Sequence, residues 1–365
     1  MKAKPTAFTV AHRRLHHQRI GHAAATTPLD VVRTLGAVQA QDYGQALWGI
    51  GARVPGSTQA SIEASIAKGE ILRTWPMRGT IHFVPAVDAH WMLAISAERT
   101  MGQVAKRMAE LKLTPMMIER NNEIFRKGLA DGQRLQREEM FALLTRAGVK
   151  LVPEHHYSII WHAALHGVIG HGPMDGKQPT FVLLDGWVKK PKKLSGDAAL
   201  VELARRYFTS HGPSTVQDFG WWAGLAMGRA REGLEGAKAS LASETFRGKE
   251  YWGPTDGGTP DASLAEGVHL LAGFDEFFLG YQGREDVIDL AHAPKVIPGS
   301  NGIFRPMIVV DGQVVGTWKK VMKAKSVAIE LAPFGKLRAT KGEITAAAQR
   351  VADFVGLPVS GVVQG

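Results

Sequence analysis

The stretch from Ile71 to Val84 does most to limit the folds open to this chain. Two arms of alternating apolar residues flank a turn at Pro76 to Gly79, which is the pattern of an antiparallel hairpin. Ahead of it the spacing predicts short helices. One covers Leu15 to Ile20, a second runs from Thr26-Thr27-Pro28 to Leu35, and a third covers Ser57 to Lys68 and stops at Gly69. Helices followed by a basic hairpin give the element order of a winged helix, with Asp88 to Met108 continuing as helix. The order returns twice. Helices from Thr114, Arg137 and Glu154 precede two strands around Pro173 to Lys177. Then Ala198 to Phe208, a helix capped near Ser214 with Gln217 three residues on, and Arg229 to Ala239 begin a third round. The rounds share an order of elements and no sequence period. Between the first two helices and the third, Trp48 to Val54 reads as a strand.

From Val268 the pattern turns to strands. Met307 to Val310 and Gln313 to Trp318 sit either side of Asp311-Gly312, a strong hairpin cue. Ser326 to Leu331 adds a strand and Glu343 to Phe354 a closing helix. Gly253 to Asp261 is the most linker-like segment. The expected fold is therefore α+β, with three tandem winged-helix motifs over residues 1–112, 113–195 and 196–258. A C-terminal β-rich, barrel-like domain over 259–365 follows.

The chain has 365 residues and no cysteine, so disulfides, zinc thiolates and thiol nucleophiles are excluded. Residues 1–5 lead into no signal-length apolar run, and no stretch has the length of a membrane span. A cytoplasmic protein with no membrane partner is expected. The net charge of +10 is uneven along the chain: residues 1–150 hold 21 Lys and Arg against 12 Asp and Glu, residues 151–365 hold 23 against 22. Either the excess serves solubility, or the N-terminal part faces a polyanion such as nucleic acid.

Gln39-Ala40-Gln41-Asp42 lies where the second helix runs out. On an extended segment Gln39 and Gln41 share a side, which an intervening helix would not allow. Glutamine has no useful pKa, so the pair can act only by orienting a water and by placing carbonyl dipoles. The competing reading is a polar helix end bonded to nearby backbone. Asp42 is expected to cap or turn the chain. On the first hairpin Arg78 could grip a phosphate and His82 could line a pocket, or His82 could satisfy a local bond while Trp75 packs in the core, the role expected of Trp75. Arg13, Arg14 and Arg19 could follow a phosphate backbone or form a solvated face. Lys190 and Lys192, within Lys189 to Lys193, form a solvated turn or a phosphate contact, and Lys319, Lys320, Lys323 and Lys325 could likewise meet phosphate. His162 and His166 would share a helix face, yet no third ligand is evident, so no metal is expected. Asp275 and Glu276, among phenylalanines, read as a structural joint. There is no P-loop and no serine nucleophile elbow.

Taken in order, five islands resemble the AlkZ-type winged-helix DNA glycosylases, relatives of the YcaQ-like proteins. They are Gln39-Ala40-Gln41, Arg73 to His82, Gly212 to Trp222, Phe274 to Tyr281 and Arg305 to Gly312. The resemblance covers nearly the whole chain. It implies a concave basic surface for double-stranded DNA and excision of N7-alkylated purines. In some members it also implies unhooking of interstrand crosslinks. Gln39 and Gln41 carry over as catalytic residues; YcaQ-like relatives have a carboxylate where Gln41 stands. A cationic purine is already a good leaving group, so weak activation by two amides suffices for it and fails for a neutral base. No lysine lies beside the glutamines, so a monofunctional enzyme without a Schiff-base step is expected. It would act as a monomer without cofactor. The alternative is a non-catalytic winged-helix DNA-binding protein or transcriptional regulator, though such proteins usually pair one motif with an effector module.

Overall fold

The computed structural model describes residues 6–21, 25–255, 267–299 and 302–364. Residues 1–5 and the 256–261 part of the expected linker lie outside the described residues; Gly253 and Pro254 end a strand. The chain forms two compact units, Met1–Ile62 with Val201–Gly365, and Glu63–Leu200.

The unit Glu63–Leu200 is built on the hairpin that opened the sequence reading. Ile71–Met77 pairs antiparallel with Thr80–Pro85. Arg78 and Gly79 make the two-residue turn, with φ of 52° and 68°, the left-handed pair that a tight hairpin requires. A second hairpin, Ile169–Asp175 with Gln178–Leu183, joins the first through Arg73 and His171. Within this unit the strand order is Thr80–Pro85, Ile71–Met77, Ile169–Asp175, Gln178–Leu183, Leu135–Gln136. Helices Ala89–Glu110, Pro115–Gly128, Arg137–Arg146 and Pro153–Leu165 accompany it. Their starts are written in the sequence: Thr114 caps one from its side chain ahead of Pro115. The core gathers Trp75, Phe125, Met140, Leu144, Ile160 and Phe181.

In the other unit, Thr27 and Asp30 form a capping box for the helix Pro28–Leu35, and Gly36 ends it with φ of 81°. The strand Val38–Gln39 follows at once. Where the sequence reading expected a strand at Trp48 to Val54, the chain forms the helix Tyr43–Gly51. Every residue from Ala46 to Gly51 is buried, so the helix has no polar face to reveal its period. Gly51 is required there, because a Cβ would sit 2.3 Å from the Phe354 ring. The helix Val216–Ala223 starts one residue later than expected, with Thr215 and Asp218 as the capping box. Ser214 instead bonds through its backbone to Trp252. That partner belongs to an unforeseen hairpin, Leu241–Phe246 with Lys249–Pro254.

The C-terminal strands form an open five-stranded sheet and not the barrel-like closure expected. Its order is Val359–Gln364, Ser326–Pro333, Gln313–Lys323, Met307–Val310, Val268–Leu271, and the two end strands do not pair with each other. The last strand, also unforeseen, lies parallel to Ser326–Pro333. The helix Lys341–Val355 makes the crossover that parallel pairing needs. The architecture is mixed α+β.

Candidate functional site

Gln39 and Gln41 straddle the end of a strand and the start of a helix. Gln39 is buried on Val38–Gln39, whereas Gln41 is exposed in the bend that follows. The next residue settles the local geometry. Asp42 caps Tyr43–Gly51, its Oδ1 accepting the Gln45 N–H at 3.0 Å, so its carboxylate is committed to the helix start, as expected. Gln45 in turn accepts the Gly273 N–H at 2.8 Å, and the Trp48 indole donates to the Leu270 carbonyl at 2.7 Å. The glutamine segment is thereby tied to the strand end at 268–273.

Behind Gln39 lies a buried polar layer that the sequence reading took for a joint. For Asp275 that reading holds: Arg53 grips it with two bonds of 2.7 and 2.8 Å, and its Oδ1 also caps the short helix Glu276–Leu279. Glu276 is also at the joint, with different partners. Its Oε1 accepts the Gln39 backbone N–H at 3.3 Å, while its Oε2 accepts the Trp222 indole N–H at 2.9 Å and faces His211 Nε2 at 3.3 Å. Flanking phenylalanines signalled that this acid is buried; no sequence signal links it to a residue 237 positions away.

Lys320 was grouped with the strand cations, not with the glutamines. Burial holds its pKa below the usual lysine value, opposed by the nearby charge of Asp42. A lysine thus lies within electrostatic reach of the residue beside Gln41. Its strand continues into exposed Met322 and Lys323 and the turn to Lys325.

The remaining candidates separate by burial. Arg14 lies inside the fold: it donates through Nε to the Pro213 carbonyl at 3.0 Å, pairs with buried Asp286 at 3.3 Å and stacks over Tyr281. Arg13 pairs with Glu244, and Arg19 is half-buried with φ of 60° at the helix end. His82 is fully buried, with Nδ1 3.0 Å from the Thr80 carbonyl and Nε2 3.3 Å from Arg78 Nη2. A neutral ring with its proton on Nδ1 satisfies both contacts. Burial, then the Arg78 charge, lowers its pKa from 6.5 to about 3. The sequence places Arg14 and His82 among DNA contacts, but both are buried and bonded inside the fold. Half-buried Arg78 stays at the hairpin turn, and Lys190 and Lys192 are exposed. Trp75 packs in the core, stacked on His171 at 4.9 Å. His162 and His166 lie 5.5 Å apart, and among the described residues no three potential metal ligands converge.

The positive charge is not sorted between the units. Residues 63–200 hold 19 Lys and Arg against 14 Asp and Glu, and the rest hold 25 against 20, an excess of five in each. No helix among the described residues is long and apolar enough to cross a membrane.

A family model described as DNA glycosylase AlkZ-like matches residues 32–354. The interstrand DNA cross-link repair glycosylase of Streptomyces sahachiroi is 26% identical over 323 residues, 84% of this chain and 86% of that protein. The solved structure of the Streptomyces sahachiroi DNA glycosylase AlkZ superposes with a TM-score of 0.80 over 99% of this chain and 100% of that one. The protein is thus a DNA glycosylase, an enzyme whose substrate is DNA. Within that class it belongs to the AlkZ-like family.

Proposed function

We propose that the enzyme hydrolyses the N-glycosidic bond of cationic N7-alkylpurine lesions in double-stranded DNA, with Gln39 and Gln41 positioning the water. One observation carries this reading: Asp42, next to the pair, accepts the Gln45 N–H through Oδ1 as the cap of the following helix, and the two amides flank the strand end just before it. Two amides can hold a water by accepting and donating one hydrogen bond each, and their carbonyl dipoles favour positive charge developing on the sugar. They are too weak a base for a neutral leaving group. N7-alkylation removes that demand, since the departing purine is already charged. The name of the Streptomyces relative extends the proposal to unhooking of interstrand crosslinks.

Contacts to the duplex are assigned to cations that remain near the surface: Arg13, Arg19, Arg78, Lys190 and Lys192, together with Lys323 and Lys325. Helix-then-hairpin runs ending at Pro85, Leu183 and Pro254 support the reading of three winged helices in series. The enzyme is read as monofunctional and monomeric, needing no cofactor.

The test uses duplex DNA bearing N7-methylguanine, followed by alkaline cleavage at abasic sites. Gln39→Ala and Gln41→Ala are each expected to lower excision by about 10²-fold while binding the duplex as tightly as the parent. Undiminished excision by both variants sinks the proposal.

A further inference from the structure

We propose that Glu276 is a positioning residue for the glycosylase reaction, acting through the backbone of Gln39. The proposal rests on the reading of Gln39 as a catalytic group. Its geometry is a chain of buried contacts. Trp222 donates to Oε2 at 2.9 Å and His211 Nε2 stands 3.3 Å from the same oxygen, which fixes one side of the carboxylate. The other oxygen, Oε1, then has one orientation available, and it accepts the Gln39 N–H at 3.3 Å. His211 is itself held, with Nδ1 2.8 Å from Ser210 Oγ and its carbonyl accepting the Tyr281 hydroxyl at 2.8 Å. Tyr207 stacks on the His211 ring at 4.6 Å, and Trp222 packs 3.6 Å from where a Cβ on Gly36 would stand. The carboxylate is therefore part of a rigid layer, and the peptide plane of Gln39 is pinned to it.

Folding alone does not call for this arrangement. A buried carboxylate is a costly acceptor, and a carbonyl or an amide would satisfy one N–H at less expense. Among the described residues no arginine pairs with it either. The neighbouring Arg53 is occupied by Asp275, Gln18 and the Gly49 carbonyl. What the carboxylate supplies is a second acceptor oxygen, directed at the amide of one residue while the first serves Trp222. An amide side chain used to hold a water has a soft terminal torsion, so its aim depends on how well its own backbone is fixed. Val38–Gln39 is only two residues long, too short to supply that rigidity by itself.

The experiment compares Glu276→Gln with the parent on N7-methylguanine DNA, alone and in the Gln39→Ala background. The isosteric amide has a single acceptor oxygen and cannot serve both Trp222 and Gln39. The expected result is a fall in kcat of about tenfold or more with KM unchanged, and no further fall when Gln39 is already alanine. In the folded protein the Gln39 amide proton resonance is expected to move upfield when the carboxylate is removed. Trp222→Phe, which removes the indole donor and leaves a smaller aromatic ring in its place, should give a smaller loss in kcat of the same kind and covers the case in which Glu276→Gln does not fold. A parental kcat in these variants, a loss confined to KM, or a loss that adds fully to that of Gln39→Ala overturns the proposal. If Gln39→Ala is itself fully active, the site reading fails and takes this one with it. If Gln39→Ala is inactive and Glu276→Gln is unimpaired, only the positioning role fails.

Discussion

Acid should weaken the unit Glu63–Leu200 through two histidines, and the size of the effect follows from their surroundings. His82 and His171 are both buried on the paired hairpins, and in each the pKa is lowered from 6.5 to about 3. Burial is the larger cause in both; the charges of Arg78 and Arg73 add to it, while backbone contacts at Thr80 and Thr180 oppose it. Both rings are therefore neutral in the fold. Between pH 6.5 and 3 the unfolded chain binds protons that the folded chain refuses, so stability falls as the pH falls through that window. Going from pH 7 to pH 5 costs about 2 kcal/mol per ring, or about 4 kcal/mol for the pair. Below about pH 3 the folded rings protonate too and this contribution levels off. Carboxylates add their own acid sensitivity, so the informative quantity is a difference between proteins. His171→Phe keeps an aromatic ring between Trp75 and Phe181, which stack on His171 at 4.9 and 4.8 Å. The variant should lose about 2 kcal/mol less than the parent over the same pH interval. Hydrogen exchange of amides in residues 63–200, followed at pH 5 and pH 7, reads this directly. Equal acid sensitivity in parent and variant would refute the argument.

Two further outcomes can be checked. Arg53→Met strands the buried Asp275 carboxylate without its double bond and should cost about 3–5 kcal/mol in urea denaturation; a variant within 1 kcal/mol of the parent would show that Asp275 finds another partner. Lys320 lies in the charge field of Asp42, so it is the residue to watch for a strand-cutting step. Borohydride added during turnover should trap no covalent enzyme–DNA complex. Trapping that disappears in Lys320→Ala would overturn the monofunctional reading.

Local chemistry was legible in advance at several places where neighbours along the chain do the work, though the Thr215–Asp218 cap reads one residue too early. Thr27 ahead of Pro28 and Thr114 ahead of Pro115 mark helix starts, and the side-chain bonds that cap them reach only to Asp30 and Met117. Alternation at Ile71 to Val84 and the Asp311-Gly312 turn likewise declared hairpins. Gln39-Ala40-Gln41 and the four other islands carried the family. Where burial is complete the pattern goes silent: Trp48 to Val54 reads as strand because the helix it overlaps is buried from Ala46 to Gly51 and has no polar stripe there.

What only the tertiary structure decided concerns charge and reach. Arg14 and Glu276 have ordinary surface chemistry as residue types, and nothing in the order of residues says that Asp286 or Gln39 will meet them. Sheet closure was equally out of view, since the open edge at Val359–Gln364 depends on a crossover whose landing place is set by packing. Propensity and capping act over a few residues, whereas desolvation and buried hydrogen bonds act between whatever the fold brings together. The amides and the buried acid were therefore both visible in the chain, and that the carboxylate of Glu276 meets the backbone of Gln39 became visible only once it was folded.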